Sequence, residues 1–148
     1  MYILPVVEYA SSVWNPYYRK DVETLEKLQR RATKLPLTTR GLPYEERLRQ
    51  LSMTTLEDRR QRADQIETFK ILRNIYGLQN LALIFQRSHN EHLRDHSLKI
   101  QSQRFKLGQR QFFLANRVVH LWNSLPDYVV NSKSVAAFKC NYDKLKLL

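Results

Sequence analysis

Along most of the chain apolar residues return every three or four positions, so the pattern predicts helices, and no convincing hairpin interrupts them. The first helix follows Asn15-Pro16, a pair that reads as an N-cap with proline at the first helical position. Val22, Leu25, Leu28, Ala32 and Leu35 supply its apolar stripe, and it ends near Pro36. A polar link with Gly41 and Pro43 leads to a short helix over 44–51 carrying Leu48 and Leu51. Thr54 opens a longer helix, with Glu57 closing a capping box three residues on. Ile66, Phe69, Leu72 and Tyr76 continue that face until Gly77 stops it.

From 86 to 109 the pattern weakens and basic residues and histidines accumulate, which predicts loop or linker. Periodicity returns at Arg110. Phe112, Leu114, Ala115, Val118, Val119, Leu121 and Trp122 cover about half a helical circumference before Pro126. A last helix starts at Ser134 and buries Val135, Phe138, Tyr142 and Leu145. The fold class is mostly α.

A length of 148 residues holds one modest domain or two small lobes. Twenty-five Lys and Arg against 14 Asp and Glu give a net charge of +11, which favours a polyanionic partner. On the first helix, Lys20, Lys27, Arg31 and Lys34 fall within roughly 60° of one another, with Arg30 close by. Phosphate binding needs such a row of cations, although a charged stripe is also what a merely solvated face looks like. Arg104, Lys106, Arg110 and Arg117 form a second basic set. Arg110, Phe113 and Arg117 share a face if a helix begins at Arg110, and a ring between two guanidiniums could stack on a base. Phe113, Trp14 and Trp122 also have a simpler reading as packing residues.

Much chemistry is missing. There is no phosphate-binding glycine loop, no HExxH, no GxSxG and no adjacent Asp pair for two-metal phosphoryl transfer. His89, His92 and His96 have a spacing that would align three imidazoles on a helix, but no apolar stripe supports a helix there, so neither metal nor cofactor is expected. The lone Cys140 excludes an internal disulfide, reads as a small buried or half-buried residue, and suits an intracellular protein. The opening apolar run carries Pro5 and Glu8 and is too short to span a membrane.

Two long stretches resemble a known family. Residues 2–35, YILPVVEYASSVWNPYYRKDVETLEKLQRRATKL, are similar to the segment after the catalytic palm in reverse transcriptases of LINE-type, jockey-like non-LTR retrotransposons. The resemblance is carried by Tyr2, Ile3, Pro5, Glu8, Tyr9, Ala10, Ser11, Val13, Trp14, Asn15 and Pro16, then by Leu25, Glu26, Lys27 and the run from Gln29 to Lys34. Residues 42–72, LPYEERLRQLSMTTLEDRRQRADQIETFKIL, resemble the family's next segment, and residues 110–125 with SVAAFK near the end resemble its closing one.

The resemblance implies a thumb-like helical bundle over 1–80, a basic linker over 81–109 and a C-terminal helical extension over 110–148. It implies a template-primer partner, whether RNA, DNA or an RNA-DNA duplex, and a parent polymerase whose fingers and palm would lie upstream. The family's metal-binding YxDD motif has no counterpart here, so the chain by itself is expected not to be an enzyme. The rival expectation is an inactive remnant or protein-interaction module.

Overall fold

The computed structural model describes residues 3–77, 84–88 and 96–147, and they are mostly helical. The chain divides between Ala63 and Asp64, within one continuous helix, into two units. The family resemblance implied a first boundary at residue 80.

In the first unit, α1 (Ile3–Glu8) is followed by a turn in which Ala10 takes a left-handed φ of 50°. Helix α2 (Arg19–Ala32) starts three residues later than Asn15-Pro16 predicted. The reason is that the Asn15 Oδ1 accepts a hydrogen bond from Arg60 Nη1 at 3.1 Å and so does not cap. The Tyr18 carbonyl accepts the first helical bonds instead, from the amides of Asp21 and Val22. A single 3-10 turn, Leu37–Thr39, precedes α3 (Tyr44–Gln50), which matches the expected short helix.

Helix α4 (Leu56–Leu72) opens on a reciprocal cap one residue beyond the predicted one. Thr55 Oγ1 accepts from the Asp58 amide at 3.1 Å and donates to Asp58 Oδ2 at 2.6 Å. Thr54 is unsuitable because its carbonyl accepts from Gln29 Nε2 at 2.8 Å. The interior of this unit is unusually polar. Alongside Val7, Ala32, Leu48 and Leu56 it buries Gln29, Thr33, Thr39, Arg47 and Arg60. Each of the five makes hydrogen bonds, as such burial demands.

The second unit has an apolar core. Helix α4 contributes Ile66, Phe69, Ile71 and Leu72, then ends before Tyr76, which is exposed. The stop is Asn74 at φ 52°, flanked by the paired bonds Asn74 N to Ile71 O and Ile75 N to Lys70 O that close a helix C-terminus. Gly77 lies beyond that stop. The strands β1 (Gln86–Arg87) and β2 (Ile100–Gln101) pair antiparallel, and Phe85 and Ile100 beside or within them are buried, so the expected linker sends side chains into the core, although 101–109 stay largely exposed.

The single helix expected from Arg110 is broken. A 3-10 turn, Gly108–Phe112, precedes α5 (Leu114–Arg117), and α6 (Val119–Asn123) follows. Phe113 is extended at the start of α5 and is 61% exposed. Helix α7 (Asp127–Val130) and α8 (Val135–Leu147) complete the unit. Ser134 caps α8 through its Oγ, which accepts from the Ala137 amide at 3.2 Å.

Phe138 of α8 stacks on Phe69 at 4.4 Å between ring centroids, and Trp122 and Tyr142 flank it at 6.0 Å each. Fully burying a large apolar side chain is worth about 1.5–3 kcal/mol, so this aromatic row anchors the unit. Trp122, fully buried, donates from Nε1 to Leu98 O at 2.8 Å and is the packing anchor expected of it. Cys140 is exposed on α8, contrary to the buried or half-buried placement expected. Among the described residues no helix is long and apolar enough to cross a membrane.

Candidate nucleic-acid interface

Helix α2 buries a face rotated from the one its leucines predicted: Val22 and Leu25 are half-buried and Ala32 is buried as expected, but the face turns toward Gln29. Leu28 and Leu35 are exposed, at 41% and 77%, whereas Gln29, Ala32 and Thr33 are buried. Polar bonds select this face. Gln29 Nε2 donates to Thr54 O and to the Tyr44 hydroxyl, Arg47 Nε donates to Thr33 Oγ1 at 3.2 Å, and Thr39 Oγ1 donates to Thr33 O at 2.7 Å. Tyr44 in turn donates to the Glu26 carboxylate, whose other oxygen accepts from the Leu56 amide at 3.1 Å. One glutamate thus ties α2 both to α3 and to the start of α4. Burial, reinforced by the bond to Glu26, raises the Tyr44 phenol above its usual range.

With that face fixed, the cations point the other way. Lys20, Lys27 and Arg31 are exposed on the side of α2 roughly opposite the buried one, in a row about 16 Å long, and exposed Lys34 follows in the turn just beyond the helix. Lys27, Arg31 and Lys34 are in no ion pair among the described residues. Arg30, also exposed, is turned about 70° away, and its guanidinium lies 4.9 Å from the Tyr44 ring centroid. Glu23 sits on the edge of the stripe and is engaged by Arg19 at 3.5 Å.

Sequence reasoning passed over the aromatic residues at the N-terminal end of this stripe. Tyr17 and Tyr18 are exposed at 38% and 54%, and Lys20 Nζ lies 5.5 Å from the Tyr18 ring centroid. The run WNPYYRK shows the juxtaposition, but periodicity gives such a run no weight. Trp14 is 42% exposed, not a core anchor. Its Nε1 donates to Tyr9 O at 2.7 Å and the Arg60 guanidinium lies 4.2 Å from its ring centroid.

The second basic set is divided. Arg104 and Lys106 are exposed on a loop and Arg110 on the 3-10 turn that follows, a segment that Asn116 clamps at both ends, accepting from the Gln103 amide at 3.1 Å and donating to Arg110 O at 2.9 Å. Arg117 does not join them. Its Nε and Nη2 make a fork to the Asp64 carboxylate at 2.8 and 2.7 Å, with only 13% of the Arg117 side chain and 6% of the Asp64 side chain exposed. The expected shared face of Arg110, Phe113 and Arg117 is therefore not formed, because the helix begins at Leu114 and Arg117 turns inward. Asp64 lies 53 positions away in sequence, so no local signal announced it.

Of the histidine trio, His89 and His92 fall outside the described residues. His96 is buried with Nε2 3.1 Å from Trp122 O. Among the described residues no group of three or more His, Cys, Asp or Glu side chains is placed to hold a metal ion. No protein-family model, curated protein or solved structure matches the chain.

Proposed function

We propose that the chain is a non-catalytic segment of a retrotransposon RNA-directed DNA polymerase that holds nucleic acid nonspecifically through basic helix α2. One observation carries this reading: Lys20, Lys27, Arg31 and Lys34 are exposed along α2 and the turn after it, and three of them are in no competing ion pair among the described residues. Such cations keep their hydration until a phosphate arrives, and they contact backbone rather than base edges, so they grip without reading sequence. Arg104, Lys106 and Arg110 form a second contact set of the same kind, in the other unit. The resemblance of the chain to the region after a reverse-transcriptase palm supplies the polymerase context, and a palm and fingers would be the natural protein partners.

Fluorescence anisotropy with two labelled duplexes of unrelated sequence tests the proposal at 50 mM salt. Equal affinities are expected. Failure to bind either would contradict the reading, and a large preference for one would contradict its nonspecific character.

A second reading, a protein-interaction module without a nucleic-acid role, draws support from Leu28, Leu35 and Leu37, all exposed, the last at 82%. Sedimentation of the chain across a concentration series separates the two, since that reading expects self-association or aggregation where the first expects a charged monomer.

A further inference from the structure

Two aromatic rings, Tyr17 and Tyr18, are exposed at 38% and 54% at the head of the cationic row. Tyr17 and Tyr18 lie in contact, with ring centroids 4.1 Å apart and planes tilted by 40°. Tyr18 occupies the position before α2, yet its side chain makes no capping hydrogen bond. Lys20 Nζ hovers over the Tyr18 ring at a centroid distance of 5.5 Å, so the first cation of the stripe and the tyrosine pair form one continuous surface. An ammonium at that distance is held loosely and is free to move onto a phosphate.

We infer that Tyr17 and Tyr18 are a stacking platform for unpaired bases, and that the preferred ligand of the α2 surface is single-stranded nucleic acid or an unpaired stretch next to a duplex. The inference rests on the reading of α2 as a phosphate-binding helix and adds the substrate class. A duplex buries its base faces in its own stack, whereas an unpaired nucleotide offers one to a tyrosine while its phosphate meets Lys20. The selectivity follows from ring stacking, which every base supports, so it distinguishes unpaired from paired without distinguishing sequence. The upstream Trp14, fixed by Tyr9 O and Arg60, is a separate and more rigid ring that the platform does not require.

The test separates base stacking from charge by using two probes of equal charge: a labelled twelve-nucleotide oligodeoxyadenylate, and a phosphodiester of the same length made only of abasic sites. At 50 mM salt the intact chain should bind the oligodeoxyadenylate tighter by at least about fivefold, the low end of what one stacked base contributes. Combined Tyr17→Leu and Tyr18→Leu substitution should abolish that difference and leave abasic binding unchanged. Combined Tyr17→Phe and Tyr18→Phe substitution, which keeps the rings, should retain it. Combined Lys27→Gln, Arg31→Gln and Lys34→Gln substitution should weaken both probes alike. Equal binding of the two probes by the intact chain overturns the platform but not the phosphate grip, as does a Leu variant that loses both probes equally while its circular dichroism is unchanged. Absence of binding to either probe overturns the α2 reading and the platform with it.

Discussion

At the scale of single residues, the fork between Arg117 and Asp64 in the second unit is taken almost wholly out of water. A buried pair of this kind adds little over an apolar substitute, yet removing one partner leaves an uncompensated charge and costs about 3–5 kcal/mol. Asp64→Ala should therefore lose stability of that order in urea unfolding; a loss under 1 kcal/mol would mean that Arg117 finds solvent easily. Tyr44 offers a test by pH. Burial and the bond to Glu26 raise its folded pKa above the unfolded value, so its contribution is complete below about pH 10 and is lost as the pH climbs beyond that, where the unfolded phenol ionises and the folded one does not. Thermal melts between pH 8 and 11 should show a steeper alkaline fall for the native chain than for Tyr44→Phe. Equal slopes would place the alkaline loss on other groups.

At the scale of elements, the helix ends show where local chemistry is under strain. Ser52 closes α3 at φ 51°, with Met53 N bonded to Leu48 O and Ser52 N to Arg49 O, an ending that glycine adopts without penalty. A left-handed residue other than glycine costs about 1–2 kcal/mol, part of which the looser unfolded chain returns, so Ser52→Gly should stabilise by about 0.5 kcal/mol. A destabilised variant would show that the Ser52 side chain matters more than its backbone. The same local view explains what the sequence disclosed. Apolar period alone located α3, the body of α4 and α8, because Phe138 and Tyr142 do face a core. It was right for Ala32 of α2 but wrong for Leu28 and Leu35, because the buried face is turned by long-range polar bonds at Gln29 and Thr33, which no hydrophobic pattern encodes. It missed the break near Phe113 and the burial of Ile100, which Asn123 secures by bonding both the amide and the carbonyl of Ile100 at 3.0 and 2.8 Å. For the candidate interface, spacing alone sufficed to put Lys20, Lys27 and Arg31 on one face, whereas the inward turn of Arg117 depended on a partner remote in sequence.

At the scale of the whole molecule, the net charge of +11 sets a field that attracts any polyanion, and the proposal assigns the contact to particular cations within it. Two-metal phosphoryl transfer needs carboxylates converging on a pair of ions, and no adjacent Asp pair occurs in the chain. The proposal therefore expects no primer extension with Mg²⁺ on RNA or DNA template, and incorporation that vanished on replacing one of the chain's own acids would require an active site of a different design. The most direct test of the central claim is the salt dependence of binding, compared between the native chain and the variant carrying Lys27→Gln, Arg31→Gln and Lys34→Gln. If the native chain neutralises about six to ten phosphates, its affinity should fall on the order of 10³- to 10⁵-fold between 50 and 200 mM salt. The variant should bind more weakly and show a logarithmic slope smaller by about three. A variant with the native affinity and an unchanged slope would contradict the account, placing the nucleic acid away from α2.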